Sequence, residues 1–314
     1  MPLDPRVSAI VKISNRLDSG DLDVPMPIRR AESARLSHFG ARLVMPKGPD
    51  PAETLERMVP VDGGEILVRI HRPHGSGPHP LYVFLHGGGW CVGTLEERDP
   101  RCRAISAGAD CVVASVDYRM APENQYPTAP EDCYAALLWL VEHAAEFGID
   151  ATRLAIGGES AGGNLAAVVC LMSRDRHGPR ICHQWLDVPA TDATLAQSGH
   201  REVADGYLLD GAVIDDFLAH YLADPAQALE PYCSPLLAAD HRDLPPAWIM
   251  TCEFDRLRGD GEAYAAALNA AGVPATHIRL AGHVHPSFAF TRLVPSAAAY
   301  ERDATAALAA AFRR

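Results

Sequence analysis

Much is missing from this chain, and each absence closes a class of explanation. No run of about 18 apolar residues occurs anywhere in the 314, so no transmembrane helix and no stable membrane insertion are expected. Met1 to Leu17 lacks a continuous apolar stretch of the kind a secretory signal needs, and none is expected. The eight cysteines never fall in a Cys-x-x-Cys pair, which removes the common zinc-site and redox-motif readings and makes a reduced, cytoplasmic protein the simplest account. Cys91 lies beside a glycine-rich motif, yet an inert small core residue is the plainer expectation for it. Positive charge is scarce: 28 Lys and Arg stand against 40 Asp and Glu, for a formal net charge of -12. A balance of that sign argues against nucleic acid and against anionic membrane surfaces. Internal repeats and low-complexity tracts are absent too.

What remains is the composition of a globular enzyme, 48% hydrophobic and 22% charged, in a chain long enough to bury a substantial core. Asp4-Pro5 has the chemistry of a helix cap followed by a first-turn proline, with Val7, Ile10, Val11 and Leu17 after it at helical spacing. A second helical pattern opens at Pro27 and runs through Leu36 to Leu43. Two such helices make a poor domain alone, and residues 1–50 are expected to pack over the rest as a lid.

Strand signals then begin. Leu55 to Val61 and Glu65 to His71 flank the turn Asp62-Gly63-Gly64 and predict a hairpin. Leu81–Leu85, Cys111–Val116, Leu154–Ile156, Ile181–Val188, Ala247–Cys252 and Thr276–Leu280 complete a set of eight. Helical segments at 99–108, 131–147, 162–172 and 261–271 separate most of them, an alternation that predicts a mostly parallel α/β sheet with helices on both faces. Residues 191–231 break the alternation with an insertion whose helical centre is expected at Ala212 to Leu222.

Four stretches carry chemistry, each at the end of an expected strand, where ligands sit in open α/β sheets. Gly158-Glu159-Ser160-Ala161-Gly162 lies between a strand and an Ala-rich helical run, the context of a nucleophile elbow, with the Ala161 N–H next to the serine. His86-Gly87-Gly88-Gly89-Trp90 follows the third strand. A chance His-Gly-Gly-Gly is expected only about 0.007 times in such a chain, and consecutive glycines leave backbone N–H groups open to an oxyanion. His86 itself reads as a hydrogen-bonder that shapes this loop. Asp255 follows the seventh strand, and His283 and His285 the eighth. A serine hydroxyl needs a histidine to take its proton, and the histidine needs a carboxylate to fix its tautomer. Ser160, Asp255 and His285 stand in the chain order of α/β hydrolases. Spacing alone does not choose between the two histidines, since residues two apart in an extended segment share a face.

Together these motifs make the chain resemble the hormone-sensitive-lipase-like family of bacterial esterases, which have the α/β hydrolase fold. The resemblance rests on His86–Trp90, Val116-Asp117-Tyr118-Arg119-Met120-Ala121-Pro122-Glu123, Gly158–Gly163, Ser234-Pro235-Leu236 and Asp255 through His285. It covers roughly residues 55 to 290, and the first 50 fit the family's N-terminal cap. It implies an eight-stranded, mostly parallel sheet over residues 51–314, with a helical cap from residues 1–50 and from the insertion at about 191–231. It also implies a carboxylesterase for short- to medium-chain esters, with Ser160 as nucleophile, His285 as base, Asp255 as its orienter, and Gly88, Gly89 and Ala161 as oxyanion donors. The pattern anchored on Gly282 selects His285 over His283. The chain departs from the family at Arg256, where a proline is usual, at Gly259, where a second aspartate is usual, and at Pro286-Ser287 in place of Gly-Phe. No metal or organic cofactor is implied. The expected partner is a small-molecule ester, with no nucleic acid; a homodimer stays open. An amide or acetyl hydrolase for a specific metabolite and a non-catalytic receptor of the same fold are the alternatives. Glu159 reads as a structural carboxylate and Asp117-Tyr118-Arg119 as a buttress of the glycine loop. Trp90, Tyr207, Leu208 and Phe217 are candidate pocket walls.

Overall fold

A computed structural model describes residues 2–17 and 21–313. Two helices come first, α1 (Pro5–Leu17) and α2 (Met26–Val44). The Asp4 carboxylate accepts from the N–H groups of Arg6 (2.8 Å) and Val7 (3.3 Å), which is the N-cap that Asp4-Pro5 predicts. Eight strands follow: β1 (Glu53–Val61), β2 (Gly64–Arg72), β3 (His79–Leu85), β4 (Val112–Asp117), β5 (Ile149–Glu159), β6 (His183–Asp187), β7 (Ala247–Phe254) and β8 (Ala275–Val284). They form one sheet in the order β1-β2-β4-β3-β5-β6-β7-β8. β2 pairs antiparallel with both β1 and β4, and every later pairing is parallel.

The helices between the strands are α3 (Leu95–Ala109), α4 (Thr128–Glu142), the single turn α5 (Ala144–Phe147), α6 (Ala161–Asp175) and α9 (Arg258–Ala270). The insertion carries a turn of helix α7 (Gly199–Glu202) and the longer α8 (Gly211–Tyr221), and α10 (Pro295–Ala311) follows the last strand. The helical segment expected at 131–147 is thus broken at His143, and β5 is far longer than Leu154–Ile156. α10 has no counterpart in the sequence reading. Among the described residues, no helix is long and apolar enough to cross a membrane.

Strand alternation divides the core in two. Leu81, Val83 and Leu85 of β3 face one side, where they join Leu137, Leu165 and Leu268 of α4, α6 and α9. Tyr82 and Phe84 face the other, with Ile105 of α3 and Tyr300 and Leu308 of α10. β3 is buried at all seven positions, as a central strand covered on both faces must be, whereas β1 at the edge is mostly exposed or half-exposed. α6 is buried from Ala161 to Ser173, so its apolar character all round matches a helix enclosed by protein.

β4 lies on one side of β3 and β5 on the other, so the chain reverses direction across the sheet at this point. A crevice opens at the carboxyl ends of strands where order reverses. The Leu85↔Gly158 register brings the loop after β3 and the turn after β5 side by side there.

Leu165 packs into the main cluster with no exposed surface. Leu165→Ala is expected to cost about 2–5 kcal/mol, read as a lowered urea midpoint with an unchanged slope.

Candidate active site

Ser160 occupies the junction of β5 and α6 with φ 55° and ψ −120°, a conformation that a side chain strains to adopt. Its N–H donates to the Asp187 carbonyl at 2.8 Å, and its own carbonyl accepts from Asn164 at 3.0 Å and Ala190 at 3.3 Å. The turn tolerates no bulk: a Cβ on Gly162 falls 2.1 Å from the Leu85 carbonyl oxygen. The N-terminus of α6 lies directly behind the serine and favours developing negative charge.

Neighbouring strands bring the next two residues together. β7 and β8 pair in parallel with Phe254 opposite Val284, so the residues that follow, Asp255 and His285, leave the sheet side by side. Asp255 Oδ2 accepts from His285 Nδ1 at 2.9 Å, and Oδ1 accepts from the Leu257 N–H at 2.9 Å. Both residues are buried, and Glu253 Oε2 ties the two strand ends by accepting from the Gly282 N–H at 2.7 Å. With Nδ1 engaged, Nε2 is the ring nitrogen left to exchange a proton. His283 is placed differently. Its Nδ1 meets Ser287 Oγ at 2.9 Å and its Nε2 meets Ser296 Oγ at 2.8 Å, away from the cavity, and burial lowers its pKa. The strand ends at Val284, so the alternation that gives residues two apart a common face stops between the two histidines.

The glycine loop is shaped from beneath. Tyr118 Oη donates to the His86 carbonyl at 2.9 Å and its ring stacks on the imidazole with centroids 4.4 Å apart. His86 Nδ1 donates to the Gly87 carbonyl at 2.8 Å, while burial pushes its pKa down, as suits a neutral structural ring. Gly88 has φ 117° and Gly89 φ 57°, and the Gly88 carbonyl accepts from Cys91 (3.0 Å) and Val92 (2.9 Å). Of the expected buttress, Tyr118 touches this loop; the Arg119 guanidinium turns instead to the buried Asp132.

A cavity of about 430 Å³ is lined by Ser160, His285, Gly88, Gly89 and Ala161 together. Asp255 stands behind the imidazole. Trp90, Leu208 and Phe217 are in the wall, whereas Tyr207 lies outside it with its ring tilted against that of Phe254, centroids 5.1 Å apart. Ser33 of α2 and Val213, Ile214 and Leu218 of α8 also line it, none of them among the wall residues expected from the sequence. Helical spacing within a segment that lacks its own core was the available signal for the three on α8. The charged side chains of the lining are satisfied by protein. Glu159 pairs with Arg98 and, at 3.1 Å, with Arg101; Asp192 accepts from Thr194 and Gln197. Burial alone would raise the Glu159 pKa, but the two guanidiniums outweigh it and hold the carboxyl below its ordinary range. Cys91 is buried and its thiol is pushed up to about 12, chiefly by burial, so it carries no thiolate at neutral pH. Among the described residues, no cluster of three or more His, Cys, Asp or Glu is placed to hold a metal ion.

Residues 82–289 match the model of a family described by its alpha/beta hydrolase fold. The carboxylic ester hydrolase LipN of Mycobacterium tuberculosis is 43% identical over 262 residues, covering 81% of this chain and 69% of that one. The carboxylesterase NlhH of the same organism is 43% identical over 264 residues, 82% of each chain, and an arylesterase of Saccharolobus solfataricus is 35% identical over 286 residues, 91% of this chain and 92% of that one. Among solved structures, an ester hydrolase from the metagenome of Lake Arreo, complexed with a bipyridine phosphonate derivative, superposes with a TM-score of 0.93 at 34% identity. It covers 99% of this chain and 100% of that one. A hyperthermophilic esterase from Pyrobaculum calidifontis gives 0.92 at 33%, covering 99% of each.

The glycine loop generates a stability prediction. A Cβ on Gly88 lies 2.1 Å from the Val92 carbonyl oxygen, whereas one on Gly40 of α2 meets nothing within 4 Å. Gly88→Ala is expected to lower unfolding free energy by about 1–3 kcal/mol in chemical denaturation. Gly40→Ala is expected to be neutral or to raise it by up to about 1 kcal/mol.

Proposed function

This chain belongs to the α/β hydrolase family, in its hormone-sensitive-lipase-like branch, and is a carboxylesterase; we propose that it works through Ser160, His285 and Asp255. The observation that carries the reading is the 2.9 Å contact from Asp255 Oδ2 to His285 Nδ1, with His285 and Ser160 on one cavity. Ser160 Oγ attacks the ester carbonyl carbon while His285 Nε2 takes its proton. Asp255 fixes the tautomer and stabilises the imidazolium that forms. The oxyanion of the tetrahedral intermediate accepts from the N–H groups of Gly88, Gly89 and Ala161, each donor contributing roughly 10²–10³ in kcat. The intermediate collapses, the alcohol leaves with the proton from His285, and an acyl-Ser160 remains. Water, deprotonated by the same nitrogen, then releases the acid and restores the serine.

The preferred substrates are short- to medium-chain esters of uncharged acids. A cavity of about 430 Å³ is towards the small end of ligand sites, and most of its wall is apolar. Each charged group in the lining already has a protein partner. We read α1, α2 and the insertion at 191–231 as a cap over a catalytic domain of residues 51–314. Ser33, Leu208 and Phe217 reach the cavity from these segments, and Arg29 of α2 pairs with Asp216 of α8 at 2.7 Å. Eight unpaired cysteines fit residence in a reducing, cytoplasmic compartment.

Ser160→Ala is expected to remove ester turnover with the fold intact, leaving only residual rate from the oxyanion donors. Turnover of p-nitrophenyl acetate, butyrate and octanoate by the purified variant checks this, and more than a few per cent of wild-type rate would sink the assignment. A pair of alanine variants tests the base. His285→Ala is expected to lose at least about 10³-fold in kcat per folded molecule. His283→Ala breaks the contacts with Ser287 and Ser296, so it is expected to melt earlier while keeping its activity per folded molecule. The reverse pattern assigns the proton transfer to His283.

A further inference from the structure

A buried arginine lies beneath the nucleophile and has no part in the chemistry just described. Arg101 of α3 is 5% exposed at its side chain and does not line the cavity. Nη1 donates to Glu159 Oε2 at 3.1 Å, Nη2 to Asp187 Oδ2, and Nε to Glu301 Oε1 of α10 at 3.1 Å. The rings of Trp185, Phe288 and Phe84 surround the guanidinium carbon at 5.1, 5.4 and 5.7 Å. Two of the three carboxylates are special by position. Glu159 directly precedes Ser160, and Asp187 is its register partner on β6. The carbonyl of that same Asp187 receives the Ser160 N–H at 2.8 Å. One planar cation therefore bridges the last residues of two adjacent strands at the point where the backbone enters its positive-φ turn.

We propose that Arg101 is a positioning residue for ester hydrolysis, a clamp across the ends of β5 and β6 that keeps the Ser160 hydroxyl aimed into the cavity. The proposal rests on the reading of Ser160 as the nucleophile. A residue at φ 55° returns to relaxed backbone unless its surroundings over-determine it. The hydrogen bond from Ser160 to Asp187 does so only while β5 and β6 keep their spacing, and Arg101 fixes that spacing through both side chains. A lysine at this position keeps the charge, but a point-like ammonium does not reproduce the two-armed reach of a guanidinium. Misplacement of a nucleophile by about 1 Å costs on the order of 10²-fold in rate, so the clamp acts on the chemical step and not on substrate binding.

The test compares the wild type, Arg101→Lys and Leu308→Ala. Leu308→Ala opens a cavity in the same apolar cluster on α10 and serves as a destabilised control with Arg101 in place. Each folded protein is reacted with a p-nitrophenyl alkylphosphonate, the labelled residue is mapped by peptide mass, and kcat and KM are measured on p-nitrophenyl butyrate. The wild type is expected to be labelled at Ser160. In Arg101→Lys, phosphonylation rate and kcat are expected to fall together by about tenfold or more, with KM within about threefold of wild type. Leu308→Ala is expected to lose thermal stability and keep both rates within about twofold of wild type. A folded Arg101→Lys that is labelled and turns over at wild-type rates overturns the clamp. So does a rate loss that follows melting temperature equally in Leu308→Ala. Label on a residue other than Ser160 in the wild type overturns the nucleophile reading, and the clamp with it. If Arg101→Lys does not fold, Glu301→Gln, which weakens the α10 arm of the same guanidinium, is put through the same assay under the same thresholds.

Discussion

The constraint on which the rest of this structure depends is the backbone of a single residue. Ser160 sits at φ 55° between a buried strand and a buried helix, and the surrounding protein must hold it there. Strain of this kind costs about 1–3 kcal/mol and persists only where neighbours leave no alternative. The neighbours are visible: a carbonyl on β6 for its N–H, two donors for its carbonyl, and the Leu85 carbonyl pressed against Gly158 and Gly162. The same crowding fixes the small residues of the motif and the register of β3 against β5. It also brings the glycine loop within reach of the serine.

Electrostatics is handled by pairing instead of by exclusion. The chain has a net charge of -12, yet the carboxylates nearest the serine are not free. Glu159, Asp187 and Glu301 share Arg101, and Arg98 adds a second cation at Glu159. Burial raises the pKa of Asp187 and of Glu301, while Glu159, with both guanidiniums on it, stays below its ordinary range. Isolated buried carboxylates beside the cavity would repel the oxyanion that the family's chemistry creates; paired ones present a nearly balanced field.

Much of the fold was legible because its periodicities are local. The eight strands are short apolar runs between turn residues, and all eight appear within a few residues of where the pattern places them, apart from the long N-terminal half of β5. That half contains Asp150, Thr152 and Arg153 and so lacks an apolar signature; pairing with His79 and Pro80 makes it a strand. α10 was illegible for a related reason: its Ala-rich run after Val294 has little contrast between faces, and it becomes a helix by packing on α3. At the candidate site, glycine motifs and strand ends can be read from spacing alone. The separation of His283 from His285 cannot, because it depends on where β8 stops and on Ser287 and Ser296. Tyr207 and Phe217 are alike in sequence terms, yet only Phe217 reaches the cavity. The Arg101 cluster joins α3, β5, β6 and α10, and no sequence pattern links elements that far apart.

The place of Glu301 and Tyr300 has a consequence for the order in which the protein is made. Tyr300 donates to the carboxylate of Asp187, Glu301 pairs with Arg101, and both belong to α10, which is synthesised long after Ser160. Domains generally fold as units, so the one eight-stranded sheet settles only when the segments that close both of its faces are present. Until α10 has been made, the arginine beneath the strained turn lacks one of its three carboxylates, and Asp187 lacks the Tyr300 hydroxyl. A chain cut short before α10 would carry Ser160, Asp255 and His285 without the full support beneath the first of them.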